Sequence, residues 1–323
     1  MKTSSLLSVL CAAGLYLAAQ AGATFTIIAV DPNTGEVGAA GASCVPAPIN
    51  AVIADVHPGL GAIYTQSAYH PVNQALARQL MEAQTAPQDI VEILEAQDLE
   101  GNPGIRQYGV IDLFDGGRSA AFTGETNFDY KNHILGPTYA IQGNTLAGPH
   151  ILENMEAAFT TTSGTLADRL MAALQGANEV GADNRCGTWN FSSLSAGITV
   201  ARPNDERGAY YLDLGFHNEY GFSLVQQLGL TGEVYALMAE NSDLTAQGPD
   251  PIDGLQAQYD QWKSVGETPA PNGYYSVLRL QSKSTASTGG LTVSGTVAGG
   301  SAEGRAKSMG LQLRSWGQLK SSR

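Results

Sequence analysis

The sequence predicts an α+β domain in which layers of helix pack on antiparallel sheets. Two observations lead there. β-branched, apolar runs come in neighbouring pairs joined by turn chemistry, and amphipathic helical segments come in pairs between them. A doubly wound parallel sheet would instead alternate single strands with single helices.

The elements follow in order. Residues 24–30 (TFTIIAV) are β-branched and apolar, a strand by composition. Asp31-Pro-Asn-Thr-Gly35 supplies a hairpin turn, and residues 36–42 return as a strand of very small residues. Small side chains let another layer approach the backbone, which fits a strand buried between sheets or the floor of a cleft. A third strand is expected at 61–67. Helices are expected at 72–83 and 87–96, with Leu76 and Leu80, then Ile90, Val91 and Leu94, on their apolar faces. Residues 106–113 and 119–122 form another strand pair, and 138–142 a short strand. Helices at 149–161 and 165–179 meet at Ser163-Gly164, which also offers a cap. Strands at 193–200 and 210–214 complete the sheets. A last helix at 251–262 places Ile252, Leu255, Tyr259 and Trp262 on one face. Residues 266–323 read as a linker and a low-complexity basic tail, disordered or forming a small appendage.

Residues 1–23 have the form of a signal peptide: Lys2, an apolar run from Leu6 to Ala19, then Gln20-Ala21-Gly22-Ala23. The small-x-small rule permits cleavage after Ala21 or after Ala23. Residues 24–265 are then the folded domain, secreted or periplasmic, and no later segment has the roughly 20 apolar residues of a membrane span. Residues 24–280 carry 10 Lys and Arg against 29 Asp and Glu, a balance that repels phosphate backbones and argues against nucleic acid as a partner. Oligomeric state is not legible. Cys11 leaves with the leader, so Cys44 and Cys186 remain, a disulfide in an oxidising compartment or two separately buried thiols.

Seven blocks in order carry a resemblance. They are residues 24–43 (TFTIIAVDPNTGEVGAAGAS), 61–66 (GAIYTQ), 107–112 (QYGVID), 120–124 (AAFTG), 140–148 (AIQGNTLAG), 181–186 (GADNRC) and 250–255 (DPIDGL). Together they resemble the family catalogued as domain of unknown function 1028, in the N-terminal nucleophile (Ntn) hydrolase-like group, and its secreted branch in particular. The resemblance implies a four-layer αββα sandwich with the N-terminal residue at the mouth of a cleft between the sheets. It brings no substrate. Relatives in the wider superfamily cleave amide bonds with an N-terminal Thr, Ser or Cys.

Cleavage after Ala23 would place Thr24 first, its hydroxyl beside a free α-amino group that can serve as base. Such an amine has an ordinary pKa of about 7.7–8.0, so a neutral fraction exists near neutral pH. The alternative is a threonine that merely opens a strand. Ser43 follows the second strand, where this superfamily often places site residues; it is otherwise a turn serine. Gln142 and Asn144 end a strand beside Gly143 and either build an oxyanion hole or satisfy a buried turn. Gln66 has the same two readings. Asp183 and Arg185 read as an ion pair organising the cysteine loop, or as substrate contacts. Proteasome-like relatives place a lysine near the nucleophile, but no lysine lies between Thr24 and Lys131. Arg78, Arg106 or Arg118 would have to supply the charge. His57, His70, His133, His150 and His217 lack metal-ligand spacing, and no phosphate-binding glycine loop is present, so neither metal nor cofactor is expected. The expected activity is hydrolysis of a small-molecule or peptide amide. The rival is a non-catalytic binding module on the same scaffold.

Overall fold

The structure, a computed structural model, describes residues 24–46, 48, 50–218, 249–267, 274–278 and 295–298. The predicted leader and most of the tail lie outside these residues. The chain opens with the hairpin β1 (Thr24–Asp31) and β2 (Glu36–Ser43), paired in register from Thr24 with Ser43 to Asp31 with Glu36. β1 and β2 lie at the centre of a large sheet. Its antiparallel body runs β10 (Leu212–Asn218), β9 (Ser195–Ala201), β2, β1, β8 (Tyr139–Asn144), β7 (Asn132–Gly136). Two short strands within the predicted tail segment, β11 (Tyr274–Leu278) and β12 (Gly295–Ala298), extend it beyond β10, and β11 runs parallel to β10. A second sheet has the order β3 (Ala54–His57), β4 (Gly61–Ser67), β5 (Arg106–Asp112), β6 (Arg118–Thr123), all antiparallel.

Period-two alternation sorts each strand between two layers. On β1, Phe25, Ile27 and Ala29 face helices α4 (His150–Thr161) and α5 (Leu166–Gly176), where they join Met155, Phe159 and Leu170 in one fully buried core. Helix α6 (Pro251–Ser264) adds Ile252, Leu255, Tyr259 and Trp262 to it. The opposite residues, Ile28 and Val30, meet Ala62, Tyr64 and Ile111 of the second sheet. That sheet's outer face packs Ile63, Tyr108 and Val110 on helices α2 (Pro71–Glu82) and α3 (Pro87–Ala96). The order is therefore helix, sheet, sheet, helix. Each fully buried large apolar side chain stabilises this arrangement by roughly 1.5–3 kcal/mol.

The small residues of β2 have the packing role their size predicts. A Cβ on Gly38 would lie 2.4 Å from Leu170 of α5. On the other face, a Cβ on Gly41 would lie 3.0 Å from Tyr64 Oη of the second sheet, and one on Gly197 of β9 2.8 Å from Asn50. Both helix layer and second sheet approach the backbone because nothing stands between.

Several boundaries differ from expectation for identifiable reasons. Helix α2 begins at Pro71, whose missing N–H costs nothing in the first turn, and His70 caps it by accepting from the Val72 N–H. Helix α5 is capped by Thr165 in a reciprocal capping box with Asp168, rather than by Ser163-Gly164. Strand β10 starts at Leu212 because Tyr211 N–H is bonded to Asp205. Strands β3 and β7 and the one-turn helix α1 (Asn50–Ile53) were not anticipated, being four or five residues long with little alternation.

Candidate functional site

The space between the sheets changes character along the strands. At one end it is lined by Ile28, Val30, Val37, Ala39, Ala62 and Ile111. At the end where β1 begins, the same alternating positions are Thr24 and Thr26, Ser43, Ser195, Gln66, Gln107, Gln142 and Asn144, each no more than 3% exposed. Buried polar side chains without partners cost roughly 1–3 kcal/mol each, so such a layer persists only if it is bonded throughout.

Apart from Gln142 Oε1, it is. Gln142 Nε2 donates to Thr26 Oγ1, and Thr26 Oγ1 donates to Gln66 Oε1 at 2.7 Å. Gln66 Nε2 donates to Gln107 Oε1 at 2.9 Å, and Asn144 Nδ2 donates to the same oxygen at 2.9 Å. Gln107 Nε2 in turn reaches Gly143 O at 2.8 Å, Thr123 Oγ1 at 2.9 Å and Asn132 O at 3.2 Å. One glutamine of the second sheet thus ties together β4, β6, β7 and β8. The closeness of the sheets here depends on Gly109, where a Cβ would sit 2.2 Å from Gln142 Oε1. That oxygen has no hydrogen-bond partner among the described residues.

Strand register brings the candidate residues into one row. Thr24 is paired with Asn144 on one side and Ser43 on the other; Ser43 is paired with Ser195, and Ser195 with His217. Thr24 Oγ1 donates to Ser43 Oγ at 3.2 Å, and Ser195 Oγ donates to Ser43 O at 3.3 Å. Thr24, Ser43 and Asn144 are therefore immediate neighbours. Gln142 pairs with Thr26, one alternation deeper, and its amide is engaged there. His217, at the far end of the row, is 9% exposed with Nδ1 unpartnered among the described residues. Burial pushes its imidazole down to about 4, so it stands neutral near pH 7.

The loop after Ser43 is fixed covalently. Cys44 and Cys186 form a disulfide with Cα atoms 5.7 Å apart, packed against Trp189, Phe191 and Leu194. Cys44 N–H donates to Asp183 Oδ2 at 2.6 Å, and Arg185 bonds both oxygens of that fully buried carboxylate at 3.1 and 2.9 Å. The Asp183–Arg185 ion pair does organise the cysteine loop.

Positive charge is spoken for. Arg106 Nε lies 2.7 Å from Asp98, and its Nη2 2.6 Å from Glu100. Arg118 binds Asp112 with Nη2 at 2.6 Å, and Arg78 binds Asp55 at 2.8 Å. Lys131 Nζ donates to Asn127 O and Asp129. Among the described residues no group of three or more His, Cys, Asp or Glu is placed to hold a metal ion.

Sequence reading did not single out Gln107, Ser195 or His217 as site residues. Gln107 was visible as a polar residue opening an apolar strand. Ser195 and His217 required the cross-strand register, which no local pattern carries.

No curated protein matches this chain. A crystal structure of protein SPO2555 from Silicibacter pomeroyi, of the family DUF1028, is similar in fold, with a TM-score of 0.54 and 23% identity over 75% of this chain and 89% of that one. The model of that family of unknown function matches residues 24–219, beginning at the residue that opens β1. By that match over more than half its length, the chain belongs to the DUF1028 family.

Proposed function

We propose that this chain is a secreted or periplasmic amidohydrolase of the N-terminal nucleophile type, with Thr24 as the first residue of the processed protein. The observation that carries the proposal is a coincidence of three boundaries. The family match, the central strand and the small-x-small motif all meet at Thr24. In this reading Thr24 Oγ1 attacks an amide carbonyl and the α-amine of the same residue takes its proton and passes it to the departing amine as the C–N bond breaks, after which water hydrolyses the acyl-threonine ester. Ser43, 3.2 Å from Thr24 Oγ1, orients the hydroxyl. Asn144 and the neighbouring strand-end amides face the developing oxyanion, while Gln142 holds the layer beneath through Thr26. The substrate is a small-molecule or peptide amide.

N-terminal sequencing of the secreted protein tests the first step: a start at Thr24 is required, and a start at Gly22 sinks the mechanism. Given that start, Thr24→Ser should retain part of the hydrolysis of a chromogenic amide and Thr24→Ala should abolish it. The rate should rise with pH as the amine deprotonates near pH 8. Equal activity in both variants refutes the assignment.

One observation favours a second reading, a binding module on the same scaffold. Among the described residues Arg78, Arg106 and Arg118, the candidates for the charge that a proteasome-type lysine supplies, are each paired with a carboxylate. Absence of hydrolysis from a chain that does begin at Thr24 would select it.

A further inference from the structure

The polar layer beside Thr24 has a direction, and the backbone chooses it. Gly143 O and Asn132 O can only accept, so the Gln107 atom that meets them at 2.8 and 3.2 Å is Nε2. Nε2 also donates to Thr123 Oγ1 at 2.9 Å, which makes that hydroxyl an acceptor on its Gln107 side. The hydroxyl proton must then go elsewhere. The acceptor it meets among the described residues is His133 Nδ1 on β7, 2.9 Å from Thr123 Oγ1. Nδ1 therefore carries no proton, and the neutral ring holds its proton on Nε2. Partial burial keeps the imidazole below the ordinary histidine range, so it is neutral near pH 7. With a proton on Nδ1, the ring would donate to Thr123 Oγ1, and the hydroxyl proton would be left facing the Gln107 donor or without a described acceptor.

The same direction runs on to the candidate nucleophile. With Nε2 turned to Thr123, Gln107 Oε1 faces Gln66 Nε2 and Asn144 Nδ2, each at 2.9 Å. Asn144 is fully buried, and its Oδ1 lies 3.4 Å from Thr145 Oγ1, which donates to it. One Nδ2 proton of Asn144 is on Gln107. The second is bonded to no described residue, and Asn144 is the cross-strand partner of Thr24. A reversed Gln107 would present Nε2 to Asn144, which could answer only with Oδ1, and both donors of Asn144 would turn away from the layer.

We propose that His133 is a positioning residue of the Thr24 site: by accepting the Thr123 hydroxyl it locks Gln107, and through Gln107 it holds the remaining Asn144 N–H as a donor to the oxyanion. The oxyanion role rests on the hydrolase reading; the hold on Asn144 does not.

Long-range 1H–15N NMR of the full chain near pH 7 reads the ring directly, with His133→Asn identifying its signals. A neutral ring protonated on Nε2 is expected; the Nδ1–H tautomer or an imidazolium overturns the proposal. Solvent exchange of the Asn144 Nδ2 protons is the second readout. It should quicken at least about tenfold in His133→Leu, and His133→Asn, whose side-chain oxygen can stand where Nδ1 does, should restore most of the protection. Thr123→Val should match His133→Leu, and the double variant should exceed neither. Exchange indifferent to both single variants, or additive in the double, overturns the proposal. On a chromogenic amide, His133→Leu should lower kcat about tenfold or more with KM little changed, and His133→Asn should recover it. Hydrolysis with kcat unchanged in His133→Leu overturns the oxyanion role. A chain that hydrolyses nothing yet shows the expected tautomer and exchange refutes the hydrolase reading and supports the hold on Asn144.

Discussion

Replacing Gln107 with alanine removes the hub of the polar layer beside Thr24, and its cost can be worked from the bonds it breaks. Gln107 Oε1 accepts from Gln66 Nε2 and Asn144 Nδ2, and Nε2 donates to Gly143 O, Thr123 Oγ1 and Asn132 O. After substitution Gln66 Nε2 retains only long contacts, at 3.4 Å to Thr24 O and 3.5 Å to Gln142 O. Asn144 is fully buried and loses its Nδ2 partner, and Gly143 O loses its short one. Two to three buried groups left short of partners, at 1–3 kcal/mol each, give about 4 kcal/mol. For a domain of this size that corresponds to a fall in Tm of about 8–16 °C. Gln107→Glu is the sharper test. It keeps the acceptor but sets an oxygen against Gly143 O and Asn132 O, so near neutral pH it should do no better than alanine. Urea unfolding followed by circular dichroism reads both variants. A loss below about 1 kcal/mol in Gln107→Ala would refute the claim that the layer is held by this residue. Wild-type-like stability in Gln107→Glu would refute the assigned amide orientation.

The remaining predictions concern the cross-link and the ion pairs. With Cys44 and Cys186 separated by 142 positions in the sequence, the paired Cys44→Ala, Cys186→Ala variant should lose on the order of 5 kcal/mol by chain entropy, and thiol titration of the denatured, unreduced protein should find no free thiol in residues 24–323. A fully stable paired variant would show that the loop is held by Asp183 and Trp189 instead. Acid should weaken the fold through Asp55 and Asp98. Burial raises both, but His57, Arg78 and Arg207 around Asp55, and Arg106 with the Asn102 N–H around Asp98, outweigh it and hold each at about 2. Both folded values lie below the ordinary 3.8, so their contribution is complete above about pH 4 and is lost as pH falls through 2, roughly 2 kcal/mol for each. Denaturation free energies at pH 7, 4 and 2 read it. Asp98→Asn should show a smaller drop between pH 4 and 2, and an unchanged drop would remove Asp98 from the account.

Much of the fold was legible locally. Helix α3 begins and ends where Pro87 and the 90, 91, 94 pattern place it, and β1, β2 and β4 sit within a residue of expectation. Where reading failed, local signal was short or ambiguous. Asn132–Gly136 has five residues and no clean alternation, and pairing with β8 makes it a strand. Tyr210 and Tyr211 look like strand residues, yet the bonds of Tyr210 to Val56 and Tyr211 to Asp205 keep them in the preceding loop. Ser43 and Asn144 were identifiable as polar residues at strand ends, but nothing local placed them on either side of Thr24.

The sequence by itself determined the class of fold, the pairing of two cysteines as one of two options, the small-residue strand that lets layers close on it, and Thr24 as the residue where several boundaries meet. Those properties are written in composition, spacing and turn chemistry, which act over a few residues. Only the tertiary structure decided that Asn144, Thr24, Ser43, Ser195 and His217 share one row, and that Gln107 from the other sheet bonds beneath it. It alone set Arg78 and Arg207 on one buried carboxylate, 152 residues apart from Arg207. Strand register and sheet stacking create such contacts, and they are fixed by burial of alternate faces across the whole chain rather than by any neighbouring residues.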